Sequence, residues 1–296
     1  MVTTETATRT CEFRAMNTEW WISVSGGEDP SILATARAIA AAAEAAFSRF
    51  QPDSLLSRLN RERRLVDASL ADVVGRALAI GEATSGAFDP RVGPALAAAG
   101  YDVSFEYLAD RSPDGLLRLA PPVDLLSVEV AGDEVVLSGI GALDLGGIAK
   151  GWTIDRMARA LEAAGCRDYL IDGGGDIRTG GCDRDGDAWA IGVGDGLVAY
   201  LRGEAVATSS TMKRRWFAAS GQVHHVIDPR TGWSSESTVA NAVVIAPDAT
   251  TADALATAVV ADPTRALPAI TAFGGGALIE QDGAWLSTPG MERWVR

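Results

Sequence analysis

The chain has 296 residues, 47% of them hydrophobic and 22% charged, which is enough length and apolar content for a buried core in an ordinary globular protein. Its formal charge of −13 argues against a nucleic-acid binder, because a phosphate backbone meets an acidic surface with the wrong sign of field. An anionic small molecule remains admissible only with local help from a metal ion, a helix N-terminus or a placed cation.

At the start, "MVTTETATRTCEFR" has no apolar run and carries Glu5, so it does not read as a secretory signal. "TCEFRAMNTEWWISVSG" (10–26) has β-type residues with partial alternation and predicts a strand or strand pair ending at a Gly-Gly turn. A helix is expected from Ser31, as its cap, to about Phe47. Its Ala-rich run is interrupted by Arg37 and Glu44 and falls short of a membrane span, so no membrane anchor is expected. A second helix is predicted in "SLADVVGRALAIGEATSG", capped by Ser69, with Val73, Val74, Ala77 and Leu78 at helical spacing and Gly86 as its stop. "GAFDPRVGPALAAAGYD" reads as a Gly/Pro loop with a short helical piece, and Leu119–Pro122 as a connection. "LLSVEVAGDEVVLSG" predicts a hairpin around Gly132-Asp133, "ALDL" (142–145) a short buried strand, and Ile148–Gly165 a helix. Strands are expected in "RDYLIDGGGDIRTGG", "AWAIGVG", "EAVATSS", "RRWFAAS", "HHVID" and "STVANAVVIAP". The helix "TTADALATAVVA" follows, and "GGALIEQDGAWLS" closes with a hairpin. Short strands with turn-length links predict an α+β fold: mixed, largely antiparallel sheets flanked by helices. Cys11, Cys166 and Cys182 are odd in number and lack metal-type spacing, so reduced thiols and a cytoplasmic location are expected.

Four stretches can carry chemistry. In "LDLGGIAKGWTIDR" a glycine turn leads into a helix with Lys150 in its first turns. The backbone N–H groups and the ammonium can hold an anion there, although a solvated lysine beside a permissive turn would look the same. In "TTADALATAVV", Asp253 and Thr257 are four apart and share a helix face; they offer two hard oxygen ligands of the kind Mg2+ takes, or only an N-terminal acid and an incidental threonine. "HHVIDPRTG" (224–232) holds both histidines of the chain, and its Asp-Pro-x-Thr-Gly turn can fix Asp228 relative to His225 as a general base. A strand histidine with satisfied ring nitrogens and a surface histidine are the plainer alternative. In "DGGGDI" (172–177) three glycines between acids permit close approach of backbone to a ligand, or simply a tight turn.

Taken in order, "DLGGIAKGWTIDR", "LIDGGGDI", "VATSS", "HHVIDPRTG" and "TADALATA", with upstream "FSRFQPDSLLSRLN" and "GAFDPRVGP", closely resemble the ApbE family of FAD:protein FMN transferases, from about Met16 to Thr257. The resemblance implies one ApbE-like domain over residues 1–296, with room for two lobes and the FAD site between them. It implies Mg2+-dependent cleavage of FAD, with FMN moved onto a Ser or Thr hydroxyl of an acceptor flavoprotein and AMP released. Hydrolysis of FAD to FMN and AMP, or flavin binding without turnover, are the alternatives. By resemblance, flavin or FAD contacts fall at Met16, Ala87, Phe88, Asp89, Asp144 and Lys150. The metal falls at the Gly147 carbonyl, Asp253 and Thr257, and the catalytic base at His225 with Asp228 in the same motif. Three positions depart from the family's usual residues: Asn17 and Ser210 each replace a glycine, and Asp172 stands near a usual asparagine.

Overall fold

A computed structural model describes residues 8–27, 29–108, 122–218 and 221–296. Glu5, Leu119–Pro121 and the end of "RRWFAAS" lie outside the described residues. An eight-stranded sheet forms the centre, and its strands follow one another across it in chain order: β1 (Thr8–Ala15), β2 (Thr18–Ser25), β3 (Asp168–Gly173), β4 (Ile177–Gly180), β5 (Ala205–Ser210), β6 (Val239–Ala246), β7 (Gly276–Gln281) and β8 (Ala284–Ser287). Every neighbouring pair is antiparallel.

The period-2 pattern of these strands sorts apolar side chains to two faces. In β6, Ala242, Val244 and Ala246 enter the main core under the helices, whereas Val243 and Ile245 meet Ile191, Leu201 and Trp294 on the other face. That second face is covered by the hairpin of Trp189–Gly194 with Leu197–Leu201 and by the turn at Met291–Arg293.

Between β2 and β3 the chain makes α1 (Ile32–Phe47), α2 (Leu55–Glu62), α3 (Ala68–Ala83), α4 (Gly93–Ala98) and α5 (Ala149–Ala163). A small antiparallel sheet of Arg64–Val66, Glu134–Gly139 and Leu126–Ala131 lies among them, so the hairpin expected around Gly132-Asp133 is present. Between β6 and β7 come α6 (Ala249–Ala261) and α7 (Pro263–Ala272). Every residue of α6 is buried except Thr257, as befits a helix that is apolar nearly all round. A carboxylate on such a helix, Asp253, therefore has to find partners in the interior.

Several local expectations need correction. "ALDL" is not a strand: glycines with positive φ at 139 and 141 precede it, and its backbone bonds go singly to other segments. Leu143 exchanges bonds with the Asn60 side chain, and Asp144 N–H donates to the Pro90 carbonyl at 2.7 Å. The cap of α3 is Asp67, whose Oδ1 accepts Leu70 N–H at 2.9 Å, while Ser69 donates its hydroxyl to the same oxygen. Ser31 stands at the N-cap of α1 but makes no side-chain cap bond; Asp29 accepts its N–H and hydroxyl instead. The strand pair expected over 10–26 is present and ends at Gly26-Gly27, both at positive φ, while its own turn is made by Met16 and Asn17, left-handed at φ 53° and 57°. Asparagine tolerates that region better than most residues, which is how the chain does without a glycine there.

Candidate functional site

Met16, at the β1–β2 turn, opens onto a cavity of about 630 Å3, within the range of small-molecule and cofactor sites. Ala87, Phe88, Asp89, Asp144, Gly147, Lys150, His225, Asp253 and Thr257 line the same cavity, so the structure gathers ten of the eleven expected site residues around one space. Asp228 is the exception: it lines a smaller recess, together with Arg230 and Asp262.

Glycines let the wall come together. At Gly151 an added Cβ would sit 2.2 Å from the Ala249 carbonyl oxygen, so α5 and α6 cross at a separation that only glycine allows. The crossing lets Gly151 N–H donate to Asp253 Oδ2 at 3.0 Å and brings Lys150 Nζ to 3.5 Å from Asp253 Oδ1. Lys150 is in closer contact with Asp176, which follows the glycine turn between β3 and β4. Burial alone would lower the Lys150 ammonium, but Asp176 and Asp253 outweigh it and hold its pKa above the usual lysine value. Burial pushes the Asp253 carboxyl up to about 6, with Asp176 adding to the rise and Lys150 opposing it. A buried acid so placed favours a nearby cation.

Thr257, one turn beyond Asp253 on α6, has its hydroxyl 3.2 Å from Ser209 Oγ of β5. Gly147 lies against it, since a Cβ there would fall 3.2 Å from Thr257 Oγ1. One carboxylate with neutral oxygens is a donor set suited to Mg2+, which keeps several waters or phosphate oxygens. Among the described residues no group of three or more His, Cys, Asp and Glu side chains is placed to hold a metal ion.

The two histidines have different surroundings. His224 Nδ1 accepts Val226 N–H at 3.2 Å and Nε2 lies 3.0 Å from the Ser235 carbonyl, which makes it a satisfied strand histidine. His225 lines the cavity; a hydrogen bond links its ring to the Arg214 backbone, and its Nδ1 is buried without a partner among the described residues. Burial, with the positive charge of Arg214 and then His224, brings the His225 pKa down to about 3. The Asp228 carboxylate accepts from Arg230 N–H at 3.0 Å and Nη2 at 3.1 Å, and its carbonyl accepts Gly232 N–H at 2.9 Å. These bonds brace its own turn and do not run to His225.

Asp89 is engaged as well: its carboxylate caps Pro90–Val92 and pairs with Arg91 at 2.6 Å. Asp144 Oδ2 pairs with Arg49 Nε at 2.6 Å, and Oδ1 accepts Gly146 N–H at 2.8 Å. Ser210 is buried, with its hydroxyl donating to the Ala240 carbonyl and accepting Met212 N–H, so the residue found in place of a glycine is fully bonded. Residues that the sequence reading passed over also line the cavity: Arg49, Asp176, Ser209, Lys213 and Arg214. The acid closing "DGGGDI" was the available signal for Asp176; the others needed the fold.

The ApbE family model matches residues 16–277. A curated FAD:protein FMN transferase of Salmonella typhimurium is 28% identical over 271 residues, covering 85% of this chain and 77% of that protein. Its counterpart in Treponema pallidum is 32% identical over 244 residues, covering 73% and 67%. Among solved structures, the ApbE protein of Thermotoga maritima superposes with a TM-score of 0.84 at 26% identity, over 98% of this chain and 100% of that one. The flavin transferase ApbE from Vibrio cholerae gives 0.80 at 23%, a likeness of fold.

Proposed function

Because the chain belongs to the ApbE family, we propose that it transfers FMN from FAD to a Ser or Thr hydroxyl of an acceptor flavoprotein and releases AMP. The observation that carries this reading is the convergence of Lys150, Asp253, Thr257 and His225 on one cavity. Cleaving a pyrophosphate asks for positioning and charge neutralisation more than for covalent chemistry from the protein. Asp253, Thr257 and the Gly147 carbonyl are the groups that would hold Mg2+, which when bound supplies positive charge at the phosphate oxygens. Lys150 adds a fixed cation beside them. Met16, Ala87, Phe88, Asp89 and Asp144 shape the wall against which the flavin nucleotide is held, Asp89 and Asp144 fixed in place by Arg91 and Arg49.

His225 then takes the proton of the acceptor hydroxyl as that oxygen attacks the FMN phosphorus. The bond from this phosphorus to the bridging oxygen breaks, and AMP leaves with that oxygen. Burial is the main reason the ring is a weak base in the free protein, and Arg214 and Lys150 add to it; the phosphates offset the positive charge of those two cations and so raise its basicity. Asp228 keeps the turn after His225 rigid. We read the chain as one catalytic unit. No helix among the described residues is long and apolar enough to cross a membrane; we propose a reducing, cytoplasmic setting from the odd number and spacing of the three cysteines.

Mixing the protein with FAD, Mg2+ and flavoproteins that carry candidate hydroxyls tests the reading. Covalent FMN on an acceptor, with AMP released and both lost on adding EDTA, is expected. AMP without any labelled protein would favour FAD hydrolysis, since water can attack the same phosphorus. No AMP under any condition would leave only flavin binding.

A further inference from the structure

Lys150 stands between two buried acids but is not shared equally. Its ammonium is in direct hydrogen-bond contact with Asp176 Oδ2, whereas Asp253 Oδ1 is 3.5 Å away. Asp176 is 3% exposed, and its other oxygen accepts Thr208 N–H at 3.2 Å. Asp253 Oδ2 is likewise occupied by Gly151 N–H at 3.0 Å. Each acid therefore has one oxygen bonded to backbone, and they differ in the second. That of Asp176 is filled by the ammonium; that of Asp253 is at the limit of its reach.

From this asymmetry we infer that Asp176 is a positioning residue that draws the Lys150 ammonium off Asp253 and so leaves an Asp253 oxygen open to a divalent cation. The inference rests on the metal reading given above. Two carboxylates and one ammonium leave the cluster with a net negative charge, while Asp253 and Lys150 alone would cancel. Without Asp176 the ammonium and the metal would compete for one oxygen. With it, the wall can hold both positive charges that an approaching dinucleotide requires, each on its own acid.

Mn2+ serves as the probe, titrated into the full-length protein without FAD and followed by the loss of the free-ion EPR signal. Asp176→Asn should weaken Mn2+ binding roughly 10–100-fold, the usual effect of removing an outer partner of a metal site. Lys150→Met should bind at least as tightly as wild type, because the competing charge is gone. The double variant should recover most of the affinity lost in Asp176→Asn, a gain that misfolding cannot produce. A double variant as weak as Asp176→Asn would overturn the inference, since Asp176 would then act on the cation itself. Equal affinity in Asp176→Asn and wild type would overturn it too. A wild type that takes up no Mn2+ would remove the metal reading and this inference together.

Discussion

His225 differs from His224 in what its ring nitrogens touch. Both nitrogens of His224 are satisfied, whereas His225 presents a ring to the cavity with a buried, unpartnered Nδ1. With its folded pKa near 3 against an ordinary 6.5, the ring is neutral at working pH and, in the free protein, a weak base. The sign of the pH effect on stability follows from the same depression. Above 6.5 neither state is protonated there and the site costs nothing. As pH falls from 6.5 toward 3 the unfolded chain binds a proton that the folded chain refuses, so stability declines over that window. His225→Asn should keep FAD bound and slow FMN transfer about 10²–10⁴-fold. It should also lose less stability than wild type between about pH 7 and about pH 4.5 in urea titrations. Parallel declines for the two proteins would show that the buried ring is not what couples this site to acid.

Helices α5 and α6 bring the charged wall together, and Gly151 is where they touch. Intrinsic propensity favours Gly151→Ala by about 1 kcal/mol, because alanine is the better helix former. The crossing opposes it more strongly: the new methyl would lie 2.2 Å from the Ala249 carbonyl oxygen and 2.9 Å from Asp253 Cβ. Overpacking of this kind costs about 1–3 kcal/mol, so the variant should melt lower and bind FAD with Mg2+ more weakly. A melting point equal to or above wild type would mean that the helices separate at little cost. Asp155 on α5 secures the same junction, accepting Ala249 N–H and Thr250 N–H at 2.9 Å each and pairing with Arg178. Both helices were legible in the sequence as long runs of good helix formers, α5 closed by Gly165 and α6 an Ala-rich apolar run too long for a buried strand. Helical spacing put Asp253 and Thr257 on one face. "ALDL" was misread because alternation over four residues is shared by a strand and an extended loop tied down one bond at a time. Helices α2 and α7 went unseen for a different reason. The first is only two turns long, and the second starts at Pro263 and contains Pro268, residues that read as breakers. Asp176 and Ser209 could not be assigned to the site from spacing, since only the order of strands across the sheet brings β4, β5 and α6 to one wall.

At the scale of the whole molecule, the cavity draws on the chain from Met16 to Thr257, so a ligand there ties the first hairpin to α6 across most of the sequence. The molecule as a whole carries −13, and FAD adds the negative charge of its two phosphates. Binding therefore works against the overall field and depends on the local cations, of which Lys150 is already partnered by Asp176. The expected consequence is a strong coupling between FAD and Mg2+ in thermal stability. A ligand that binds only the folded state stabilises it by about 2.7 kcal/mol at ~100 times its Kd. FAD with Mg2+ should therefore raise the melting temperature clearly more than the sum of the shifts from FAD alone and Mg2+ alone, and EDTA should remove the excess. The comparison is made by differential scanning calorimetry at fixed ionic strength, because screening by salt would otherwise imitate part of the Mg2+ effect. Additive shifts would mean that Lys150 and the helix starts suffice to hold the phosphates, and that the acid and hydroxyl of α6 face the cavity without a cation between them and the ligand.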